Sequence, residues 1–258
     1  MTKYLPQPYC SRLWRAIIEF DMIASGDHIL VGLSGGKDSA FLTYALSCLR
    51  HISPRPFELA AVNLDPGFTA DCDTAPLADF CRSLDVPFYT IQADIAGAIA
   101  ANDGKDPCYT CSVIRRGAIN TFAAEHGFNK VAYAHHHDDA VETFLMSVLC
   151  SGQLTTFLPV THLERSGITV IRPLIYFRED ELISAKACHG LQPLPSPCPH
   201  NGRTRRQDIK ELLYSLQSLD KNVYSHLAAA MRQGHSVLWP AAPDRTVLGE
   251  RHRAFWRK

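Results

Sequence analysis

The sequence predicts an α/β fold, a doubly wound parallel sheet with an N-terminal helix and a C-terminal helical extension. The first observation is that short apolar runs alternate with helical stretches along residues 28–171, a pattern typical of βαβ units with helices on both faces of the sheet. The second is an amphipathic stretch that precedes the first apolar run. The third is that strand-like runs stop after Ile175, where prolines and further helical stretches follow.

The elements can be placed in order along the chain. Ser11 can cap a first helix that extends through Ile23, because a serine hydroxyl accepts a hydrogen bond from a free amide of the first turn. Strands are then expected at His28–Leu33, Leu59–Leu64, Phe88–Ile91, Lys130–Ala134 and Thr169–Ile171. Helices are expected at Lys37–Leu49, Pro76–Leu84, Cys111–His126 and Asp138–Leu149. Ligands bind beyond the carboxyl ends of the strands in such sheets, so the segments after the first four strands are expected to carry the chemistry.

The C-terminal third is predicted to be helical and partly irregular. Helices are expected at Arg178–His189, Thr204–Leu219 and Val223–Arg232. Leu191–Gly202 contains four prolines and is expected to form a rigid loop, and the last stretch, which contains Pro240 and Pro243, is expected to be irregular. We therefore expect an N-terminal helical segment at 1–27, a nucleotide-binding α/β domain at 28–176 and a C-terminal helical region at 177–258.

The composition is that of an ordinary soluble enzyme. The chain has 258 residues, of which 46% are hydrophobic and 20% charged, so it can bury enough apolar surface to fold. No apolar run approaches the ~18 residues that span a bilayer, and the first ten residues lack the apolar core of a secretory signal. We expect a cytoplasmic protein that makes no membrane contact.

The charges are unevenly distributed although their sum is zero. Residues 200–258 contain 11 Lys and Arg against 5 Asp and Glu, whereas residues 1–199 contain 15 against 21. A basic tail on an acidic body is typical of nucleic-acid contact, but it also fits a solvated surface. The basic residues closest to Cys198 are Arg203, Arg205, Arg206 and Lys210.

A glycine-containing loop follows the first strand and opens the next helix, with the sequence Ser34-Gly35-Gly36-Lys37-Asp38-Ser39. Glycines let backbone amides close around phosphate oxygens, and a helix N-terminus and a lysine add positive charge. The loop is not a Walker A motif, because Asp38 stands where that motif requires Ser or Thr. The alternative interpretation is a plain glycine turn before a helix.

Nine cysteines are many for such a chain, and their odd number argues against a disulfide framework. Cys108 and Cys111 form a C-x-x-C pair, and Cys198 lies between prolines. This set is compatible with a redox pair, with a zinc site completed by His200, or with an iron–sulfur cluster held by three cysteines that leaves one iron open.

The loop and several further motifs together resemble a known family. Ser-Gly-Gly-Lys-Asp-Ser is the signature of the PP-loop, or N-type, ATP pyrophosphatases, which have a HUP-like fold. The cysteine pair with Arg115 and Arg116, the segment Ala134-His135-His136-His137-Asp138-Asp139, Ile171-Arg172-Pro173-Leu174 and Cys198 resemble the TtcA family of tRNA 2-thiocytidine synthetases. The resemblance extends from about His28 to Leu216. His137 stands where the family usually has arginine, and Cys198 has no second cysteine beside it.

The resemblance implies an ATP-dependent, [4Fe-4S]-dependent tRNA thiolase. It implies that ATP and Mg²⁺ serve to adenylate the C2 oxygen of a pyrimidine, expected to be an anticodon-loop cytidine, which sulfur then replaces. It implies that Cys108, Cys111 and Cys198 hold the cluster. The implied partners are tRNA and a sulfur donor, either sulfide or sulfur derived from a cysteine desulfurase, and a homodimer is left open.

The resemblance also assigns roles to single residues. The ATP-binding residues it implies are Ser34, Gly35, Gly36, Lys37, Asp38, Ser39, Val62, Asn63, Asp65 and His135. The catalytic residues it implies are Lys37, Asp38, Arg115, Asp138 and Asp139. RNA contacts are expected at Arg116, Arg203, Arg205, Arg206 and Lys210. Asp138 could instead be a helix N-cap, and the arginines could be solvated helix faces.

Two other functions remain compatible with the sequence. One is a PP-loop enzyme that acts on a small molecule, which the acidic body favours. The other is a nucleotide-binding module in which the cysteines hold zinc structurally. The three-cysteine pattern favours the thiolase.

Overall fold

The computed structural model describes residues 4–68, 73–195, 198–199, 204–232 and 238–257. Its sheet has six strands in the order β3-β2-β1-β4-β6-β5. Five strands run parallel, and β5 runs antiparallel to β6. The strands are β1 Asp27–Gly32, β2 Phe57–Asp65, β3 Phe88–Gln92, β4 Lys130–Ala132, β5 Val160–Leu163 and β6 Ile168–Ile171. The predicted α/β fold class is confirmed.

Helices flank this sheet, and most of them begin or end within a few residues of the predicted positions. The helices are α1 Gln7–Glu19, α2 Lys37–Ile52, α3 Ala75–Ser83, α4 Ile95–Ala101, α5 Pro107–Glu125, α6 His137–Ser151, α7 Glu179–His189, α8 Arg205–Leu219, α9 Val223–Ala230 and α10 Arg245–Trp256. The strand order reverses between β1 and β4, because β2 and β3 lie on one side of β1 and the later strands on the other. Such a reversal opens a crevice at the carboxyl edge of the sheet, which is where the phosphate loop lies.

Two helices begin earlier than the sequence predicts. The first helix starts at Gln7 after Pro6, so Ser11 lies inside the helix and does not cap it. The helix predicted from Cys111 starts at Pro107, because the fixed φ of proline suits the first helical position. Cys108 and Cys111 therefore lie on consecutive turns of one helix.

Three elements were not predicted. α4 has the sequence IAGAIAA, which carries no amphipathic period, and its start is fixed by Asp94, whose side chain accepts a hydrogen bond from the Gly97 amide. β5 is a four-residue edge strand with no fully buried position. The expectation of an irregular C-terminal end is wrong for α10, which begins after the prolines and is capped by the Asp244 side chain.

Two apolar cores lie on opposite faces of the sheet. Ile29 and Val31 belong to one core and Leu30 to the other, as expected for successive strand residues. The larger core joins α1, α2 and α7 to the C-terminal helices, and Phe255 of α10 packs against Trp14 of α1 with 5.3 Å between ring centroids. The smaller core joins α4 and α5 to the sheet. Because helices cover both faces of the sheet, the candidate site lies at the carboxyl edge of the strands.

A helix can cross a membrane only if it is long and apolar enough. Across the described ranges, no helix combines enough residues with enough apolar character to cross a bilayer.

Candidate active site

The phosphate loop connects β1 to α2 and is held by its own serines. The Ser34 amide donates to Ser39 Oγ at 3.2 Å, and the two hydroxyl oxygens are 3.1 Å apart. Gly35 has a φ of +83°, a conformation that residues with a Cβ rarely adopt. The loop therefore has the geometry that exposes backbone amides at a helix N-terminus, as phosphate binding requires.

The proline-rich segment before Cys198 packs on this loop. The Leu194 amide donates a 3.0 Å hydrogen bond to the Gly35 carbonyl. A Cβ on Gly35 would lie 3.3 Å from the Leu194 side chain. The close approach of these two backbones brings the segment that carries Cys198 to the edge of the sheet where the phosphate loop lies.

A polar cleft of about 370 Å³ opens beside the loop, between α6, α7 and α8. Lys37 Nζ lies in it, 3.1 Å from Asp38 Oδ2 and 3.6 Å from Glu179 Oε1. The other Glu179 oxygen accepts from Lys210 Nζ at 2.5 Å. Burial alone would raise the pKa of Glu179, but the hydrogen bond and charge of Lys210, with the charge of Lys37, lower it. Glu179 is thus an ionised carboxylate between two lysines.

Asp138 links the start of α6 to the start of α7. Its Oδ1 accepts from Arg178 Nε, and its Oδ2 accepts from the Glu179 amide at 2.9 Å. Burial raises the pKa of Asp138, but hydrogen bonds from His137 and from that amide, together with the Arg178 charge, lower it overall. Asp138 is buried and uses both oxygens within the protein, so it orients Glu179 rather than facing the cleft.

Asp139 faces the cleft. Its Oδ2 accepts from the His136 amide at 2.9 Å, and its Oδ1 accepts from Arg206 Nη1 at 3.0 Å. The same arginine donates to Thr143 Oγ1 at 3.2 Å. Asp139 therefore joins the first turn of α6 to α8, and it lines the cleft together with Lys37.

Two of the three predicted cluster cysteines, Cys108 and Cys198, line this cleft. The pKa of the Cys108 thiol is raised by burial and further by the charges of Cys198 and Cys111. Cys111 is three residues along α5, where Arg115 Nη2 lies 3.8 Å from its Sγ. Cys108 and Cys198 therefore share the cleft, and Cys111 lies one helical turn after Cys108.

The arrangement of these thiols distinguishes between kinds of metal centre. Within the ranges that the structure describes, no group of three or more His, Cys, Asp or Glu side chains is arranged to hold a single metal ion. A cubane cluster binds its cysteines through separate iron atoms, so their sulfurs lie farther apart than the ligands of one ion. Cysteine thiols fit an iron–sulfur cluster in donor type, and His200, the residue that could complete a zinc site, lies outside the described residues.

The remaining predicted ATP residues lie along β2 and after β4. Val62 and Asn63 are buried, and Asn63 Nδ2 donates to the Leu33 carbonyl at 2.7 Å. Asp65 Oδ1 accepts from the Gly67 amide at 2.9 Å. The pKa of His135 is lowered to about 4 by burial and by the charge of Arg172, so its ring is neutral at pH 7.

The predicted RNA-binding residues do not form one basic surface. Arg206 and Lys210 lie in the cleft, where Asp139 and Glu179 bind them. Arg205 is exposed, and Arg116 is on α5, where its Nε donates to the Ser112 carbonyl at 3.0 Å. Arg203 lies outside the described residues.

Two acidic residues of the cleft, Glu142 and Glu179, were not predicted from the sequence. Glu179 is the first residue of α7. An acidic residue is favourable at any helix N-terminus, so the sequence does not distinguish Glu179 from an ordinary helix start. Glu142 is one turn after Asp139 and is 4% exposed. Burial and the charge of Asp139 raise the pKa of Glu142 to about 7, and Arg206 and Lys210 only partly offset this.

The raised pKa of Glu142 predicts a pH-dependent cost to folding. Its ordinary pKa is 4.5, so the folded protein loses stability as pH rises from about 4 to about 7, where Glu142 ionises. We expect Glu142→Gln to raise the free energy of unfolding at pH 8 by about 1–3 kcal/mol and to leave it unchanged at pH 4. Urea denaturation at both pH values measures this. A less stable variant at pH 8 would mean that the ionised carboxylate has a partner that stabilises it.

Comparisons with known proteins show the family of this chain. The family model of the PP-loop domain matches residues 11–212. The tRNA-cytidine(32) 2-sulfurtransferase of Anaeromyxobacter dehalogenans (strain 2CP-C) is 38% identical over 228 residues, which cover 86% of this chain and 77% of the relative. The enzyme of the same name from Marinobacter nauticus is 36% identical over 84% of this chain and 72% of its own.

A solved structure shares the fold. The U34-tRNA thiolase NcsA from Methanococcus maripaludis, determined with its [4Fe-4S] cluster, aligns with a TM-score of 0.70 over 87% of this chain and 78% of its own, at 19% identity. At that identity the likeness supports the fold, whereas the family rests on the sequence matches. The chain belongs to the PP-loop family and, within it, to the family of the tRNA-cytidine(32) 2-sulfurtransferases.

Proposed function

We propose that this protein catalyses the ATP-dependent 2-thiolation of a cytidine in tRNA, at position 32 as the names of its relatives indicate. One observation carries the proposal. A single cleft holds the lysine of the phosphate loop, Asp139 and two of the three cysteines that the family resemblance assigns to a cluster. ATP activation and sulfur delivery would then occur at neighbouring places, as replacement of an oxygen by sulfur requires.

The residues of the cleft suit activation by ATP. The phosphate loop would bind the nucleotide. The Lys37 ammonium would move from Asp38 and Glu179 to the phosphates of ATP, because a phosphate carries more negative charge than a carboxylate. Transfer of AMP to the C2 oxygen of the cytidine releases pyrophosphate and makes that oxygen a good leaving group. AMP departs when sulfur attacks C2.

Asp38 is the proposed Mg²⁺ ligand. Within the described structure, its Oδ1 is buried and has no hydrogen-bond partner, whereas both oxygens of Asp138 are already bonded. Oxygen ligands are those that Mg²⁺ prefers, usually together with substrate phosphates. We therefore place the metal beside Asp38 and the phosphate loop.

Cys108, Cys111 and Cys198 are the proposed ligands of a [4Fe-4S] cluster. A cluster held by three cysteines supplies an open iron that can carry sulfur. Arg115, whose guanidinium lies beside the Cys111 sulfur, would keep positive charge next to the reacting oxygen. The proposed sulfur donor is sulfide, either free or released by a thiol reductant from the persulfide of a cysteine desulfurase. Light scattering of the purified protein would test a homodimer.

The test is an anaerobic reaction of the purified protein with unmodified tRNA, ATP, Mg²⁺ and sulfide. We expect 2-thiocytidine in the digested tRNA and one AMP per thiolated nucleotide. The same reaction with the target cytidine replaced by uridine is the control, and we expect no thiolated product from it. AMP formation without any thionucleoside would contradict the proposal, and so would thiolation that needs no ATP.

A further inference from the structure

A second cavity, of about 270 Å³, lies on the α5 side of the sheet and shares no lining residue with the cleft. One polar lining residue, Thr161 on β5, accepts a hydrogen bond from Arg172 Nη1 at 3.4 Å, and the others come from three further places. Arg116 and Asn120 are on α5, Tyr133 follows β4, and Arg172 follows β6. Because β4 and β6 are parallel neighbours, these side chains meet at the carboxyl edge of the sheet.

Buried polar atoms around this cavity have no partner. Arg172 is 7% exposed, and its Nε has no hydrogen-bond partner in the described structure. The same holds for the Tyr133 hydroxyl. An unsatisfied buried donor costs about 1–3 kcal/mol, so these two donors on one cavity indicate a ligand that accepts hydrogen bonds from both.

The cavity also has an uncompensated positive charge. Among the described residues, no carboxylate oxygen lies within 4.0 Å of the guanidinium groups of Arg115, Arg116 or Arg172. Arg206, in the cleft, is paired with Asp139. Arg172 instead donates to the Leu158 carbonyl at 2.6 Å. Burial lowers the pKa of Arg172 to about 10, and the charge of Arg116 adds to this. An anion would supply the missing charge.

The donors select a phosphate group. A guanidinium presents its N–H groups in a plane that matches two oxygens of a phosphate, and the tyrosine hydroxyl and the asparagine amide can donate to the others. Arg116 is five residues after Cys111, or about 7.5 Å along the helix axis. A phosphate here would thus lie close to the cysteines without entering the ATP cleft.

We propose that Arg116, Arg172, Tyr133 and Asn120 form a phosphate-binding pocket, and that its occupant is the backbone phosphate next to the target nucleotide. The identity of this occupant rests on the proposed tRNA substrate. The same chemistry would accept a free phosphate, so the test separates the two sources.

The first arm measures the affinity for tRNA as a function of salt. We expect Arg116→Gln to weaken binding about tenfold and to lower the slope of log K against log salt by about one, because one phosphate contact is lost. Tyr133→Phe removes a single hydroxyl and should weaken binding less. The matched control is Arg165→Gln, which removes an exposed arginine from the neighbouring β5–β6 turn and should change neither quantity.

The second arm measures inorganic phosphate binding by calorimetry in the Lys37→Ala background, which weakens the phosphate loop as a competing site. We expect Lys37→Ala to bind phosphate and the double variant with Arg116→Gln to lose it. If Arg116→Gln abolishes phosphate binding but leaves the affinity for tRNA unchanged, the pocket binds free phosphate and not the tRNA backbone. No change in either arm would overturn the proposal. Neither arm requires turnover. If wild-type protein binds phosphate in this pocket but makes no thiolated tRNA, the proposed function is refuted and the pocket is not.

Discussion

Lys37→Ala is expected to lower the rate of AMP formation on the order of 10²–10³-fold, as the loss of a group that stabilises developing charge does elsewhere, while the protein remains folded. Lys37 opens α2 at the phosphate loop, and its ammonium lies in the cleft between Asp38 and Glu179. Alanine removes that charge and leaves the loop serines and the buried face of α2 in place.

The control for this variant is Lys221→Ala, which removes an exposed lysine just before α9. We expect wild-type rates from it. Circular dichroism and the urea midpoint would establish that both proteins are folded. If folded Lys37→Ala forms AMP at the wild-type rate, the phosphate loop does not bind ATP in the way described.

Cys198→Ala is expected to lose iron and tRNA thiolation together and to retain ATP binding. Cys198 is the one proposed cluster ligand outside α5, and two thiolates on one helix cannot hold a cubane securely. The serines and glycines of the phosphate loop make their hydrogen bonds to one another and to Leu194, so they do not depend on the thiol.

Cys150→Ala is the matched control, because Cys150 is an exposed cysteine at the far end of α6. Iron per protein, visible absorbance and thionucleoside yield should all remain at the wild-type level in this variant. A Cys198→Ala protein that keeps its iron and still thiolates tRNA would remove Cys198 from the cluster. Loss of nucleotide binding in the same variant would instead indicate that Cys198 supports the phosphate loop through the segment at Leu194.

The phosphate loop and the sheet could be predicted because their signals are local. Ser34–Ser39 lie between a buried apolar run and a helical stretch. The glycines let backbone amides approach a phosphate, and the lysine adds positive charge. The strands β1, β2, β4 and β6 were visible as short apolar runs, because a parallel strand is buried on both faces. The sheet order, in contrast, depends on which strands pair, and no run of residues encodes that.

The acidic side of the cleft could not be predicted. Glu142 is inside α6 and Glu179 at the start of α7, and in sequence both look like ordinary helix residues. They become part of the site because α6, α7 and α8 pack together, which brings Lys210 to Glu179 and Arg206 to Asp139. For the same reason the basic residues around position 205 looked like an outer surface, although two of them face inward.

The pocket at Arg172 shows the same limit more clearly. The resemblance drew attention to Arg172 as part of a motif and to Arg116 as an RNA contact, but Tyr133 and Asn120 carried no signal. Their shared location follows from the pairing of β4 with β6 and from the packing of α5 against that edge. Only the structure shows that Arg172 Nε and the Tyr133 hydroxyl lack partners in the described residues.

Nucleoside mass spectrometry of tRNA from a strain that lacks this gene measures the proposed thiolation most directly. We expect 2-thiocytidine to disappear from that strain, wild-type protein to restore it, and the Lys37→Ala and Cys198→Ala variants to leave it absent. Unchanged 2-thiocytidine in the deletion strain would refute the proposed function, and so would loss of a different thionucleoside in its place.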